Sequence, residues 1–136
     1  MLISPDELTY EVVFDVYRNA YMSPELDRED EQVTLEIDDV RVRASVDRER
    51  RLFNLLSVWG VEASASERQI LDFCNSVNAT LILIRVYYVA EHSAFVADHA
   101  TVTEGGITGE EIVKATRQFA AVLRGLGQIE GAEVLR

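Results

Sequence analysis

Two histidines, His92 and His99, one cysteine, Cys74, an acidic run and a pair of adjacent glycines are the residues whose types could carry chemistry in this chain. A nucleophile–base–acid constellation needs a histidine beside a serine or cysteine. His92 falls in an expected turn and His99 in the middle of an expected strand, and no motif surrounds either. Both read as ordinary surface and strand-face residues. Cys74 belongs to the inner face of an expected helix, where a thiol behaves as a small hydrophobe. A redox role would require a depressed pKa, which nothing nearby in the sequence suggests. A single cysteine cannot form an internal disulfide, and with two histidines it cannot complete a Cys/His zinc site. The run Glu25-Leu26-Asp27-Arg28-Glu29-Asp30-Glu31 lacks the alternating ligands and central glycine of a calcium loop and reads as a solvated connector. Gly105-Gly106-Ile107-Thr108-Gly109 precedes a helix N-terminus, where an anion could bind. Glu110 and Glu111 fill the first turn and would repel a phosphate, and the spacing fits neither a dinucleotide loop nor a Walker loop. From these patterns we expect no catalytic residue, no cofactor and no metal ligand.

Charge narrows the partners. Thirteen basic against 24 acidic residues give a net charge of −11, which repels nucleic acid and anionic lipid. The N-terminus turns acidic by its sixth residue, and the longest apolar run, Leu81 to Ala90, is interrupted by Arg85 and is half of what a membrane helix requires. A cytoplasmic, soluble protein with no membrane partner is expected. A hydrophobic fraction of 48% over 136 residues suits one domain over 1–136, with an acidic connector at 22–31 and a tail at 127–136 that reads as frayed.

The elements that must position these residues follow from periodicity. Ser4-Pro5-Asp6-Glu7 is a capping box with proline at the first helical position, and predicts a helix over residues 5–20. One apolar stripe of that helix is Leu8, Val12, Val16 and Ala20. The other is Tyr10, Phe14, Tyr17 and Tyr21, more than one sheet face would bury, and hence a candidate partner or dimer surface. A strand competes, because Leu8 to Val16 also alternate at period two. Val33, Leu35 and Ile37, then Val40, Val42, Ala44 and Val46, alternate with polar residues around a hairpin at Asp38-Asp39. Leu52 to Val61 reads as a third strand, buried on both faces.

Ser64-Ala65-Ser66-Glu67 predicts a second cap, opening a helix whose inner face is Ile70, Phe73, Cys74 and Val77. Leu81 to Ala90 and Ala94 to Val102 read as a hairpin around Glu91-His92-Ser93. Thr108 and Glu111 make a third capping box, with Ile112, Ala115, Phe119, Val122 and Leu126 inward and Gly125 and Gly127 ending the helix. The order α-β-β-β-α-β-β-α with short connections implies an α+β fold, a five-stranded antiparallel sheet with helices packed on it.

The stretch from Leu52 to Leu126 resembles the YbjN-like family, assigned to bacterial sensory transduction regulation. The likeness is carried by an apolar strand and a helix with Asn75-Ser76-Val77-Asn78, then by the hairpin Ile82 to Val102 and the turn Gly105-Gly106-Ile107-Thr108 before a final amphipathic helix. Val77 stands where the family often has an aromatic, and Glu91-His92-Ser93 where it usually turns on Asp-Gly. The resemblance implies a type III secretion chaperone-like fold, no enzymatic activity, no cofactor, a homodimer and a protein partner. Among the motif positions, Asn75, Asn78, Gly105, Gly106 and Thr108 read as structural, with Asn78 placed where its helix ends and a left-handed conformation is tolerated. A chaperone for a secreted protein is the first alternative. A small-ligand sensor or enzyme using the sheet face is the second.

Overall fold

The computed structural model describes residues 1–136. Its elements are β1 (Leu2–Ile3), α1 (Tyr10–Asn19), β2 (Glu25–Asp27), β3 (Gln32–Ile37), β4 (Val40–Asp47), β5 (Leu52–Gly60), α2 (Glu67–Thr80), β6 (Arg85–Val89), β7 (Ala94–Val102), β8 (Ile107–Thr108) and α3 (Gly109–Leu123). The α+β class holds, with three helices on an antiparallel sheet, but that sheet has six strands rather than five, in the order β2-β3-β4-β5-β7-β6. The extra strand, β2, lies within the expected connector at 22–31. Leu26 pairs with Val33 and is half-buried against the core, and this apolar contact draws the acidic stretch onto the sheet edge. β1 and β8 form a separate two-stranded ribbon that periodicity did not announce.

The first helix is a helix, but it starts later than its signals. Ser4 and Glu7 make the full set of capping-box hydrogen bonds around one isolated turn. The chain then extends at Thr9, which caps α1 afresh by accepting from the Val12 N–H, and Leu8 between the two caps is completely buried. The second cap is Ser66 with Gln69 rather than Ser64 with Glu67. Thr108 and Glu111 cap α3 as expected. The buried seam of α3 is Ile112, Thr116, Phe119, Ala120 and Leu123, while Ala115 and Val122 are half-buried. Gly125 keeps an ordinary negative φ of −78°, and the helix runs on into a 3₁₀ turn at Leu126–Gln128.

Asp38 and Asp39 both adopt positive φ, 49° and 69°, the twist a two-residue hairpin needs, and set Ile37 opposite Val40. β5 is not buried on both faces. Phe53, Leu55 and Ser57 are buried while Leu52, Asn54 and Leu56 are half-exposed and Val58 is exposed, because all three helices pack on the same side. The first four residues of Leu81 to Ala90 are not strand. Ile82 and Leu83 are exposed there, 73% and 48%, and Leu83 takes φ 66°. Under the helices, Phe73 and Trp59 both pack on Phe95 at ring separations of 5.4 and 6.0 Å, joining α2 to β5 and β7.

The tail at 127–136 is packed, not frayed. Val134 is buried, Leu135 bridges Val61, and the Arg136 N–H donates to the Gly60 carbonyl at 3.0 Å. Val134 and Leu135 supply apolar area that holds this last turn down.

Candidate functional site

Four of the five motif positions, Asn78, Gly105, Gly106 and Thr108, take part in turns, caps or strand contacts. Gly105 and Gly106 both carry positive φ, 85° and 96°, and a Cβ on Gly106 would lie 2.7 Å from Leu2 Cγ. This turn sends Ile107 into the core, pairs it with Ile3 and leaves Thr108 to cap α3. Asn78 sits inside α2 in helical conformation, not at a left-handed end. Its amide donates to the Val86 carbonyl at 3.0 Å and accepts from the Val86 N–H at 2.9 Å, reproducing one strand pairing on the outer edge of β6. Asn75 is exposed on the same helix.

The aromatic stripe does not form one surface. Tyr17 is completely buried, and its hydroxyl lies 2.7 Å from Thr116 Oγ1, which itself donates to the Ile112 carbonyl at 2.7 Å. Burial pushes the Tyr17 phenol well above its ordinary range, against a smaller opposing pull from the Thr116 bond. Tyr10 and Phe14 are half-buried, and the Arg18 guanidinium lies 5.6 Å from the Phe14 ring. Tyr21 alone projects, 94% exposed, at φ 60° beyond the helix end. Helical spacing put the four on one stripe; closure of α1 onto α3 then took Tyr17 for the core.

Cys74 is buried, and desolvation raises its pKa, so it stays a protonated thiol near neutrality. His92 is exposed in a 3₁₀ turn, and His99 is half-buried beside Thr101. No group of three or more His, Cys, Asp or Glu side chains is disposed to hold a metal ion, and no helix is long and apolar enough to cross a membrane.

A groove of about 720 Å³ lies between α1 and α3, with Val16, Ala20, Gly109 and Val113 along its floor. Asn19, Glu110, Lys114 and Arg117 form its rim. A Cβ at Gly109 would lie 3.5 Å from the Val16 methyls, an ordinary contact, so the helix approach does not depend on glycine there.

A smaller cleft, about 340 Å³, lies on the face of the sheet without helices. Cross-strand register builds it in rows: Gln32, Ser45 and Asn54 side by side, then Arg43, Leu56, Asp98 and Arg85. Asp98 accepts from Arg85 Nε at 3.0 Å and Nη2 at 2.7 Å, and this carboxylate holds the Arg85 pKa up. Sequence reasoning passed over this cleft. Its signal was the concentration of Arg41, Arg43, Arg48, Arg50 and Arg51 within a chain of net charge −11.

An antiparallel sheet with α1 and α3 on one face and α2 beside β6 gives a fold that resembles the type III secretion chaperones. YbjN from E. coli superposes with a TM-score of 0.69 at 13% identity, over 90% of this chain and 94% of that one. The HopA1–SchA chaperone–effector complex superposes at 0.57 and 15% identity, over 88% and 91%. The ExsC–ExsE complex gives 0.57 at 19% identity, over 88% and 90%. At these identities the likeness is one of fold. The sequence itself decides the family: residues 9–126 match the model of the YbjN family, described as "Putative bacterial sensory transduction regulator", and the chain belongs to that family. No curated protein matches it.

Proposed function

We propose that this chain is a non-enzymatic, cytoplasmic regulatory domain that acts as a homodimer and binds a protein partner. The observation that carries the reading is the α1–α3 groove. Val16, Ala20 and Val113 give it an apolar strip, and its volume is about 720 Å³. An amphipathic or extended segment laid there would cover Val16, Ala20 and Val113, while Lys114, Arg117 and Glu110 met its polar side. Tyr21, next in the chain to Ala20, adds an exposed aromatic of the kind enriched at interfaces. Similar structures that are complexes of two proteins, HopA1–SchA and ExsC–ExsE, support a partner-binding role for the fold.

The test is affinity capture of the tagged protein from its native host, with masses from light scattering. A reproducible partner at simple stoichiometry on a dimer, lost in Val113→Glu, is the expected result. A monomer that retains no partner would overturn the reading. A chaperone for a secreted protein is a second reading, favoured by the resemblance to a chaperone–effector complex. It requires the captured partner to be one that the cell exports.

A further inference from the structure

We propose that the cleft on the uncovered face of the sheet is a carboxylate-binding site centred on Arg43. Both carboxylates that line it are already engaged: Asp98 by the two nitrogens of Arg85, Asp47 by Arg50 at 3.6 Å. The guanidinium of Arg43, a half-buried residue in the middle of β4, makes neither an ion pair nor a hydrogen bond within the chain. Beside it the Gln32, Ser45 and Asn54 side chains, also half-buried, make no hydrogen bond to protein. Leu52, Leu55, Leu56, His99 and Ala100 complete the lining.

Each feature selects the ligand. A guanidinium partly removed from water attracts an anion more strongly than an exposed one, and its planar fork fits the two oxygens of a carboxylate. Hydroxyl and amide donors in the next row can bond an oxygen that the guanidinium leaves free. Asp47 and Asp98 in the same lining would repel a phosphate dianion, so a single negative charge fits best. Leu52 and Leu56 offer contact to the short aliphatic stem that carries such a group. The field is local. Three arginines, Arg43, Arg50 and Arg85, against two acids, Asp47 and Asp98, line the cleft and reverse there the sign of a chain of net charge −11. A free small carboxylate and a Glu side chain of a bound peptide present the same group, and the experiment separates them.

The experiment follows the backbone and arginine Nε–H signals of the ¹⁵N-labelled protein by NMR during titration. The probes are propionate and the peptide acetyl-Leu-Glu-Leu-amide, with acetyl-Leu-Gln-Leu-amide as the uncharged control. Saturable shifts at Arg43 Nε–H and at the amides of Ser45 and Asn54 are expected with an acid probe and not with the control. Arg43→Gln should lose them. Arg43→Lys, which keeps the charge without the fork, should weaken binding by roughly tenfold, about one charge-assisted hydrogen bond. Propionate binding as tightly as the glutamyl peptide would identify a free small carboxylate; tighter peptide binding would identify an acidic side chain of a protein. Absence of a saturable shift with both acid probes would overturn the site. Unchanged shifts in a folded Arg43→Gln or Arg43→Lys protein would overturn it equally. The site does not depend on the α1–α3 groove, so Val113→Glu should leave the titration unaltered.

Discussion

The buried pair Tyr17 and Thr116 gives a stability test in which the order of the effects matters more than their size. Thr116 uses its proton on the Ile112 carbonyl, so Tyr17 must donate to the Thr116 oxygen. Tyr17→Phe removes the donor and leaves Thr116 with its other bond intact, costing about 1 kcal/mol, the net value of one hydrogen bond. Thr116→Val removes the acceptor and strands a completely buried phenol hydroxyl, which costs about 2 kcal/mol, within the range for an unsatisfied buried group. The double variant replaces both partners by apolar groups of similar shape. It should be no less stable than Thr116→Val alone, at least about 1 kcal/mol better than additive.

Urea denaturation with a common slope would measure all four proteins. Strict additivity, or a Thr116→Val cost no larger than that of Tyr17→Phe, would refute the assigned donor and acceptor. Alkali supplies a second readout. The folded-state pKa of Tyr17 is raised by burial, so the unfolded chain loses this proton first and stability falls as pH rises past the ordinary phenol value near 10. Tyr17→Phe should remove that part of the decline.

Asn78→Ala should cost about 1–2 kcal/mol, because it removes two hydrogen bonds from an edge strand. Hydrogen exchange at the Val86 amide should quicken, and an unchanged rate would contradict the clamp. Gly106→Ala should cost about 1–2 kcal/mol through its left-handed backbone, and more than Gly105→Ala, since a Cβ meets Leu2 only at Gly106. Equal thermal midpoints for the two would show that Leu2 simply moves aside. Deleting residues 129–136 uncovers Val61 and Phe73 and removes Val134, so it should cost about 2–4 kcal/mol in urea. No loss would mean that the tail adds nothing to the core.

Local signals fixed much of this protein because they act within a few residues. The Thr108–Glu111 cap, the Asp38-Asp39 hairpin and the inner face of α2 at Ile70, Phe73, Cys74 and Val77 were all readable, since capping, turn geometry and helical period require no knowledge of the rest of the chain. The family followed from short strings embedded in that order of elements.

Other features depended on what came to lie alongside. Ser4 and Thr9 both offer sound caps, and burial of Leu8 between them placed the helix start. An acidic stretch became β2 because Leu26 found Val33, and the tail packed because Val61 and Phe73 offered it apolar area. Helical spacing assigns Tyr17 and Tyr21 to one stripe, yet Tyr17 within α1 meets Thr116 and Tyr21, beyond the helix end, meets water. The Arg43 cleft was the least legible. Its residues come from five strands and one turn, up to 68 positions apart, Gln32 to Ala100, and register across the sheet sets them side by side.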